Sequence, residues 1–203
     1  MIKNKIYLTP LIILAIIIIF LAISIIKSDN KNNFLQNNQL QKTLIKFPDF
    51  QLPLIHIASN KNILKNPSSI LENKFSNQDL HGKISVINFF ASWCAVCSKE
   101  HHLIKELREI YSQKTYHQKV AIFGVAWRDL PENVLVFLNS NGNYYHKVAL
   151  DSKNSLGKLI NLSAVPETII TNQQGEIIKH YLGELNIDNF AEIKRIIESE
   201  IKS

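Results

Sequence analysis

Apolar and polar positions along this chain fall into runs of distinct period, and those runs predict alternating strands and helices. Ile84 to Phe90 is apolar, β-branched and aromatic, with Asn88 its only large polar residue, the pattern of a strand buried on both faces. Beyond Ala91-Ser92-Trp93, the residues Val96, Leu103, Ile104, Leu107 and Ile110 recur at helical spacing among Lys99, Glu100, Lys105, Glu106 and Arg108. Strand, short turn and helix succeed one another, with Cys94 at the helix start. Val120 to Trp127 reads as a second buried strand in which Gly124 marks a close approach, and Pro131 to Leu138 begins a helix with Asp129 as its N-cap. After a turn at Asn141-Gly142-Asn143 come a short strand at Lys147 to Leu150 and a helix at Ser155 to Leu162. Thr168 to Thr171 and Ile177 to Tyr181 flank Asn172-Gln173-Gln174-Gly175 as a hairpin. Ile187 to Ile201 closes the chain as an amphipathic helix whose buried stripe is Ile193, Ile196, Ile197 and Ile201. Tandem strand-helix units imply parallel pairing and an α/β class.

The amino-terminal quarter has a different texture. Leu8 to Ile26 is almost wholly apolar, and as a helix it spans about 28 Å, close to the ~30 Å hydrocarbon core of a bilayer. A cleaved signal peptide is the alternative, with Lys3 and Lys5 ahead of the apolar run and Ala22-Ile23-Ser24 as a cleavage site. The run is longer than a usual signal core, which favours a retained anchor. Either reading exports the rest of the chain. Ser28 to Thr43 is polar and aperiodic, a tether reaching at most about 50 Å. The expected division is therefore anchor at 1–27, linker at 28–43 and folded domain at 44–203. Within that domain, Phe47 to Leu54 alternates but carries Pro48 and Pro53, which suits a short edge strand or an extended entry segment. His56 to Lys74 reads as loop, and Asn77 to Lys83 as the turn into the central strand, with His81 on its surface.

A formal charge of +6 over 203 residues changes little, because the lysines are scattered among acids, so the surface is solvated and no nucleic-acid motif stands out. The two cysteines change the picture much more, since Cys94 and Cys97 are the only ones and form a Cys-x-x-Cys pair at a helix start. The unpartnered N–H groups and positive dipole end there stabilise a thiolate, making Cys94 the nucleophile. Cys97, nearly one turn on, is placed to resolve a mixed disulfide. A structural bridge across two residues would constrain the unfolded chain little. Four-ligand zinc sites usually pair two such Cys units or add two His, and here only His101 and His102 follow nearby, while Ser98 stands where c-type haem attachment requires His.

The element order, with Trp93-Cys94-Ala95-Val96-Cys97 at the first helix and Val165-Pro166 before the hairpin, resembles the thioredoxin fold, a central mixed sheet flanked by helices. That resemblance implies a cis Val165-Pro166 bond facing the cysteines, with Val165 and Trp93 contacting an extended substrate. More narrowly, the chain resembles the DsbE/CcmG-like membrane-anchored thioredoxins of cytochrome c maturation. The residues that carry the likeness are Phe47-Pro48-Asp49-Phe50-Gln51-Leu52-Pro53, Asn88-Phe89-Phe90-Ala91-Ser92-Trp93-Cys94 and Cys97-Ser98-Lys99-Glu100-His101. Pro131-Glu132-Asn133, Gly142-Asn143-Tyr144-Tyr145, Pro166-Glu167-Thr168 and Gly183-Glu184-Leu185 extend it. The family is similar in having Asn at Asn88 and acids at Glu100 and Glu167, which makes these two carboxylates candidates for relaying the proton of Cys97. The chain departs from the family at Ala95-Val96, which lacks Pro, and at Asn161 and Ala164, where the family has glycine.

The resemblance implies a domain held at the inner membrane and facing the periplasm, which reduces a disulfide in apocytochrome c or in a haem-ligation assembly protein. A membrane thiol-disulfide donor would re-reduce it, with no cofactor or resident metal. A broader envelope oxidoreductase or an oxidant belongs to the same class. A copper- or zinc-binding metallochaperone using Cys94, Cys97 and His101 or His102, and a tethered interaction module, are the readings from other classes.

Overall fold

The computed structural model describes residues 45–55, 71–113, 115–116 and 118–202. The expected anchor at Leu8 to Ile26 and the linker at Ser28 to Thr43 lie outside the described residues, as do positions 56–70. Among the described residues no helix is long and apolar enough to cross a membrane.

The strands are β1 (Ile45–Lys46), β2 (Gln51–Ile55), β3 (Leu71–Ser76), β4 (Ile84–Phe90), β5 (Val120–Trp127), β6 (Lys147–Asp151), β7 (Glu167–Thr171) and β8 (Glu176–Leu182). The helices are α1 (Ala95–Tyr111), α2 (Pro131–Asn141), α3 (Ser155–Leu159) and α4 (Ile187–Lys202). One mixed sheet runs in the order β1-β8-β7-β4-β5-β6-β2-β3. The pairs β4–β5 and β5–β6 are parallel, as the tandem strand-helix units predict, and β7 joins β4 antiparallel. Every residue of β4 and β5 is buried, which is why neither strand alternates in polarity.

The two sheet faces carry separate cores. Val86, Phe90, Ile122, Val148 and Ile170 pack beneath α1, α2 and α4, while Ile87, Phe89, Phe123, Val125 and Ile169 pack with Phe47, Phe75, Leu80 and Leu156. Because successive strand residues point to opposite faces, Asn88 lies on the side of α1 and its neighbours Ile87 and Phe89 on the other. The α4 stripe is narrower than its sequence period predicts: Phe190, Ile193 and Ile197 are buried, and Ile196 and Ile201 lie at its margin.

Four expectations are corrected. β2 is not an edge strand, since β3 pairs with one side and β6 with the other; it tolerates Pro53 because it meets β6 only at Leu54 and its register with β3 shifts between Pro53 and Ile55. Leu71 to Lys74, expected as loop, belongs to the strand β3, and Phe75 is that strand's buried anchor, in ring contact with Phe50 and Phe123. The N-cap of α2 is Leu130, not Asp129, whose carboxylate is committed to Ser92 and to the N–H of Leu130. α3 stops at Leu159 rather than Leu162, because Asn161 turns the chain at φ +56° and the Leu162 N–H closes on the Gly157 carbonyl.

Gly124 is the close approach that its place in β5 suggested. A Cβ there would lie 2.8 Å from the Tyr145 ring, a distance at which something must move. Gly124→Ala is expected to destabilise the protein by about 1–3 kcal/mol through overpacking, read as a lower urea midpoint at unchanged slope.

Candidate active site

Cys94 adopts extended backbone as the N-cap of α1, because β4 delivers the chain to the helix through a tight turn. That turn is held from the neighbouring strand end. Asp129, just beyond β5, accepts the Ser92 N–H at 2.6 Å and the Ser92 hydroxyl at 2.9 Å. The indole N–H of Trp93 reaches the Arg128 carbonyl at 3.4 Å, and the ring stays 60% exposed beside the cysteine.

Cys94 and Cys97 form a disulfide with Cα atoms 5.3 Å apart. The Cys97 N–H donates to the Cys94 sulfur at 3.0 Å, so the sulfur occupies the capping place that an Asp or Ser oxygen usually fills, where the helix dipole favours negative charge. The two cysteines differ in access: Cys94 is 7% exposed and Cys97 2%. Cys94 is thus the one a substrate sulfur can meet, beside a cleft of about 480 Å³ lined by Trp93, Ser98, Val136 and Asn141. Across from it, the Val165–Pro166 bond is cis, and the Val165 carbonyl oxygen lies 3.6 Å from the Cys94 sulfur. An extended peptide could pair with this backbone.

One turn after Cys97, Glu100 is 1% exposed within the core beneath α1. Its Oε1 accepts from the Asn88 side-chain amide at 2.9 Å and its Oε2 from the Leu185 N–H at 2.7 Å. Burial pushes the carboxyl up from the usual 4.5 to about 7; the Leu185 and Asn88 hydrogen bonds pull the other way, the Glu184 charge adds to the rise and His102 opposes it. Asn88 also donates to the Thr168 hydroxyl at 3.1 Å and accepts the Tyr145 hydroxyl at 2.7 Å.

The structure joins Glu100 to this network and leaves Glu167 out of it. In the β4–β7 register Thr168 lies opposite Asn88 and Glu167 opposite Phe89, so Glu167 extends from the sheet face away from α1, the helix that carries Glu100. The Glu167 carboxylate accepts from the Ser163 N–H and hydroxyl at 3.3 Å, from the Ala164 N–H at 3.4 Å and from His180 at 2.7 Å. It braces the turn that leads into Val165. His101 is buried against Phe137, Tyr144 and Tyr145 with its Nε2 on the Gly142 carbonyl, and burial lowers its pKa. His102 is exposed and bonded to the Lys99 carbonyl. Among the described residues no group of three His, Cys, Asp or Glu is placed to hold a metal.

Sequence reasoning missed Tyr145, Thr168 and the Leu185 N–H as the setting of Glu100, and the Asp129 hold on Ser92. Gly124 was the available signal: it pairs with Asn88 across β4 and β5, and the space it leaves is filled by Tyr145.

Comparison with known proteins agrees with this geometry. The model of the Redoxin family matches residues 45–197. The thiol:disulfide interchange protein HelX of Rhodobacter capsulatus is 34% identical over 118 residues, covering 58% of this chain and 62% of that protein. The thiol:disulfide interchange protein DsbE of Haemophilus influenzae is 30% identical over 124 residues, covering 60% of this chain and 64% of that protein. The match thus spans somewhat less than two thirds of either relative. The crystal structure of a thiol:disulfide interchange protein of the thioredoxin family from Chlorobium tepidum covers 80% of this chain and 99% of its own, with a TM-score of 0.59 and 18% identity. At that identity the likeness establishes the thioredoxin-like fold.

The buried carboxyl carries a pH signature. From about pH 4.5 to about 7, Glu100 of the unfolded chain has released its proton while the folded protein keeps it, so stability falls as pH rises through that window. The contribution is complete below about pH 4.5 and lost by about pH 8, a change on the order of 3 kcal/mol. Denaturant unfolding across this range is expected to show that decline in the parent protein and not in Glu100→Gln. Glu167→Ala, which strips the Ser163–Ala164 turn of its acceptor, is expected to cost about 1–3 kcal/mol in the same assay.

Proposed function

We propose that this chain, which belongs to the Redoxin family, is a membrane-anchored thiol-disulfide oxidoreductase that faces the periplasm and reduces a disulfide during cytochrome c assembly. The observation that carries the reading is the Cys94–Cys97 pair at the start of α1 with the Glu100 carboxyl buried one turn behind the resolving sulfur. The relatives named as thiol:disulfide interchange proteins support the activity, and the apolar run from Leu8 to Ile26 supports the anchor. The substrate is the disulfide of a Cys-x-x-Cys-His segment in apocytochrome c, or one in the haem-ligation partner that holds it.

In the reduced protein the Cys94 thiolate attacks one sulfur of the substrate disulfide, forming a mixed disulfide and releasing the first substrate thiolate. Cys97 then gives its proton to the Glu100 carboxylate and attacks the Cys94 sulfur, closing the internal disulfide and releasing the second substrate thiolate. Two electrons pass to the substrate. A carboxyl that titrates near neutrality is suited to accept that proton and return it to water. Trp93, Val165 and Pro166 border the substrate chain, and Glu167 keeps the turn before Val165 in place. A membrane dithiol donor restores the reduced pair.

Three variants of the full chain in detergent test the steps against an oxidised Cys-x-x-Cys-His peptide. Cys97→Ala should accumulate the mixed disulfide, Cys94→Ser should form none, and Glu100→Gln should slow resolution about 100-fold while leaving the first attack intact. A midpoint potential near the roughly −270 mV of thioredoxin is expected; one near the roughly −120 mV of a strong oxidant would make the chain a disulfide donor.

A further inference from the structure

Tyr145 sits in the segment between α2 and β6, far in sequence from the cysteines, yet its hydroxyl ends inside the network that holds Glu100. It is 5% exposed. Its placement is built by two neighbours: the missing side chain of Gly124, where a Cβ would lie 2.8 Å from the ring, and Phe90, whose ring stacks on it at 5.4 Å and 16°. The hydroxyl donates to the Asn88 carbonyl oxygen at 2.7 Å.

A buried side-chain amide can face either way, and its two ends do opposite things to a carboxylate. With the Asn88 oxygen held by Tyr145, both amide hydrogens are left for Glu100 and Thr168, at 2.9 and 3.1 Å. That orientation stabilises the ionised carboxylate. Turned over, the amide presents its oxygen to Glu100, and the pair is satisfied only when Glu100 carries a proton; the Thr168 hydroxyl serves either orientation equally, whereas the Tyr145 phenol, a better donor than acceptor, favours the first. Burial and the charge of Glu100 keep the Tyr145 phenol well above its ordinary pKa, so its proton remains available to Asn88.

We propose that Tyr145 is a positioning residue that acts through Asn88 to set the proton affinity of Glu100. Besides Asn88, the groups acting on Glu100 are His102 of α1 and Glu184 with the Leu185 N–H between β8 and α4; Cys97 lies one turn ahead on α1, and Thr168 of β7 bonds to Asn88. Among the described residues, it is the Tyr145 hydroxyl that bonds the amide oxygen. The mechanism built on this rests on the reading of Glu100 as the acceptor of the Cys97 proton, but the positioning itself does not.

The test reads the Glu100 carboxyl directly in the oxidised full chain, by NMR of isotope-labelled glutamate, with the resonance assigned by its loss in Glu100→Gln. In Tyr145→Phe the titration midpoint is expected to rise by about one unit, a tenfold gain in proton affinity. In an Asn88→Ala background the same change should leave the midpoint where Asn88→Ala puts it. Gly124→Ala, which displaces the ring while keeping the hydroxyl in the chain, should shift the parent midpoint in the same direction and serves where Tyr145→Phe does not fold. An unchanged or lowered midpoint in the folded variants, or a shift that persists without Asn88, overturns the proposal. A shifted midpoint together with undiminished resolution by Glu100→Gln would instead remove the proton-acceptor reading and leave the positioning standing.

Discussion

A carboxyl group sealed in an apolar core is the constraint on which this site depends. Glu100 is as buried as the aliphatic residues of β4, and among the described residues the polar groups that hold its oxygens are the neutral Asn88 amide and Leu185 N–H. Hydrogen bonds from neutral donors offset part of the desolvation of an anion and leave the rest, which is why the carboxyl rises toward neutrality instead of remaining fully ionised as it would beside an arginine. A glutamate paired with a cation would be a fixed charge. This one exchanges a proton in the range where thiols also exchange theirs.

The fold supplies that setting from parts distant in sequence. β4 contributes Asn88, α1 contributes Glu100, the segment before β6 contributes Tyr145, β7 contributes Thr168, and the loop after β8 contributes the Leu185 N–H. Each comes from an element that packs against the central pair β4–β5 or is anchored to it. Since both strands are wholly buried, a polar side chain on them can bond only within the protein, and the Ser85 hydroxyl of β4 finds no such partner among the described residues. The Asn88 side chain finds three partners, donating to Glu100 and Thr168 and accepting from Tyr145, while its main chain keeps its place between β5 and β7.

Much of this was legible in the sequence because it is local. Period and composition placed β4, α1, β5, the hairpin β7–β8 and α4, and a cysteine pair after a buried strand located the reacting sulfurs at a helix start. The resemblance to membrane-anchored thioredoxins pointed to Glu100. What was not legible depends on register: whether Glu167 shares a face with Glu100 is decided by a single-residue alternation in β7, and the motif Pro166-Glu167-Thr168 puts Thr168, not Glu167, next to Asn88. The same is true of Asp129. Its position ahead of a proline-initiated helix reads as a cap, yet the tertiary approach of Ser92 claims its carboxylate.

The separation of the two acids gives them different work. Glu167 accepts from the turn before Val165 and from His180, so its oxygens are taken up by groups that fix the backbone opposite Cys94. Glu100 lies behind Cys97 with oxygens held by donors that can release it to a proton. One carboxylate therefore fixes the turn before Val165, and the other lies in the core one helical turn after Cys97. Had both stood on the same face, their mutual repulsion would have raised the proton affinity of one at the expense of the other. With the sheet between them, the proton affinity of Glu100 is set by its burial, by the Leu185 and Asn88 hydrogen bonds, and by the charges of Glu184 and His102.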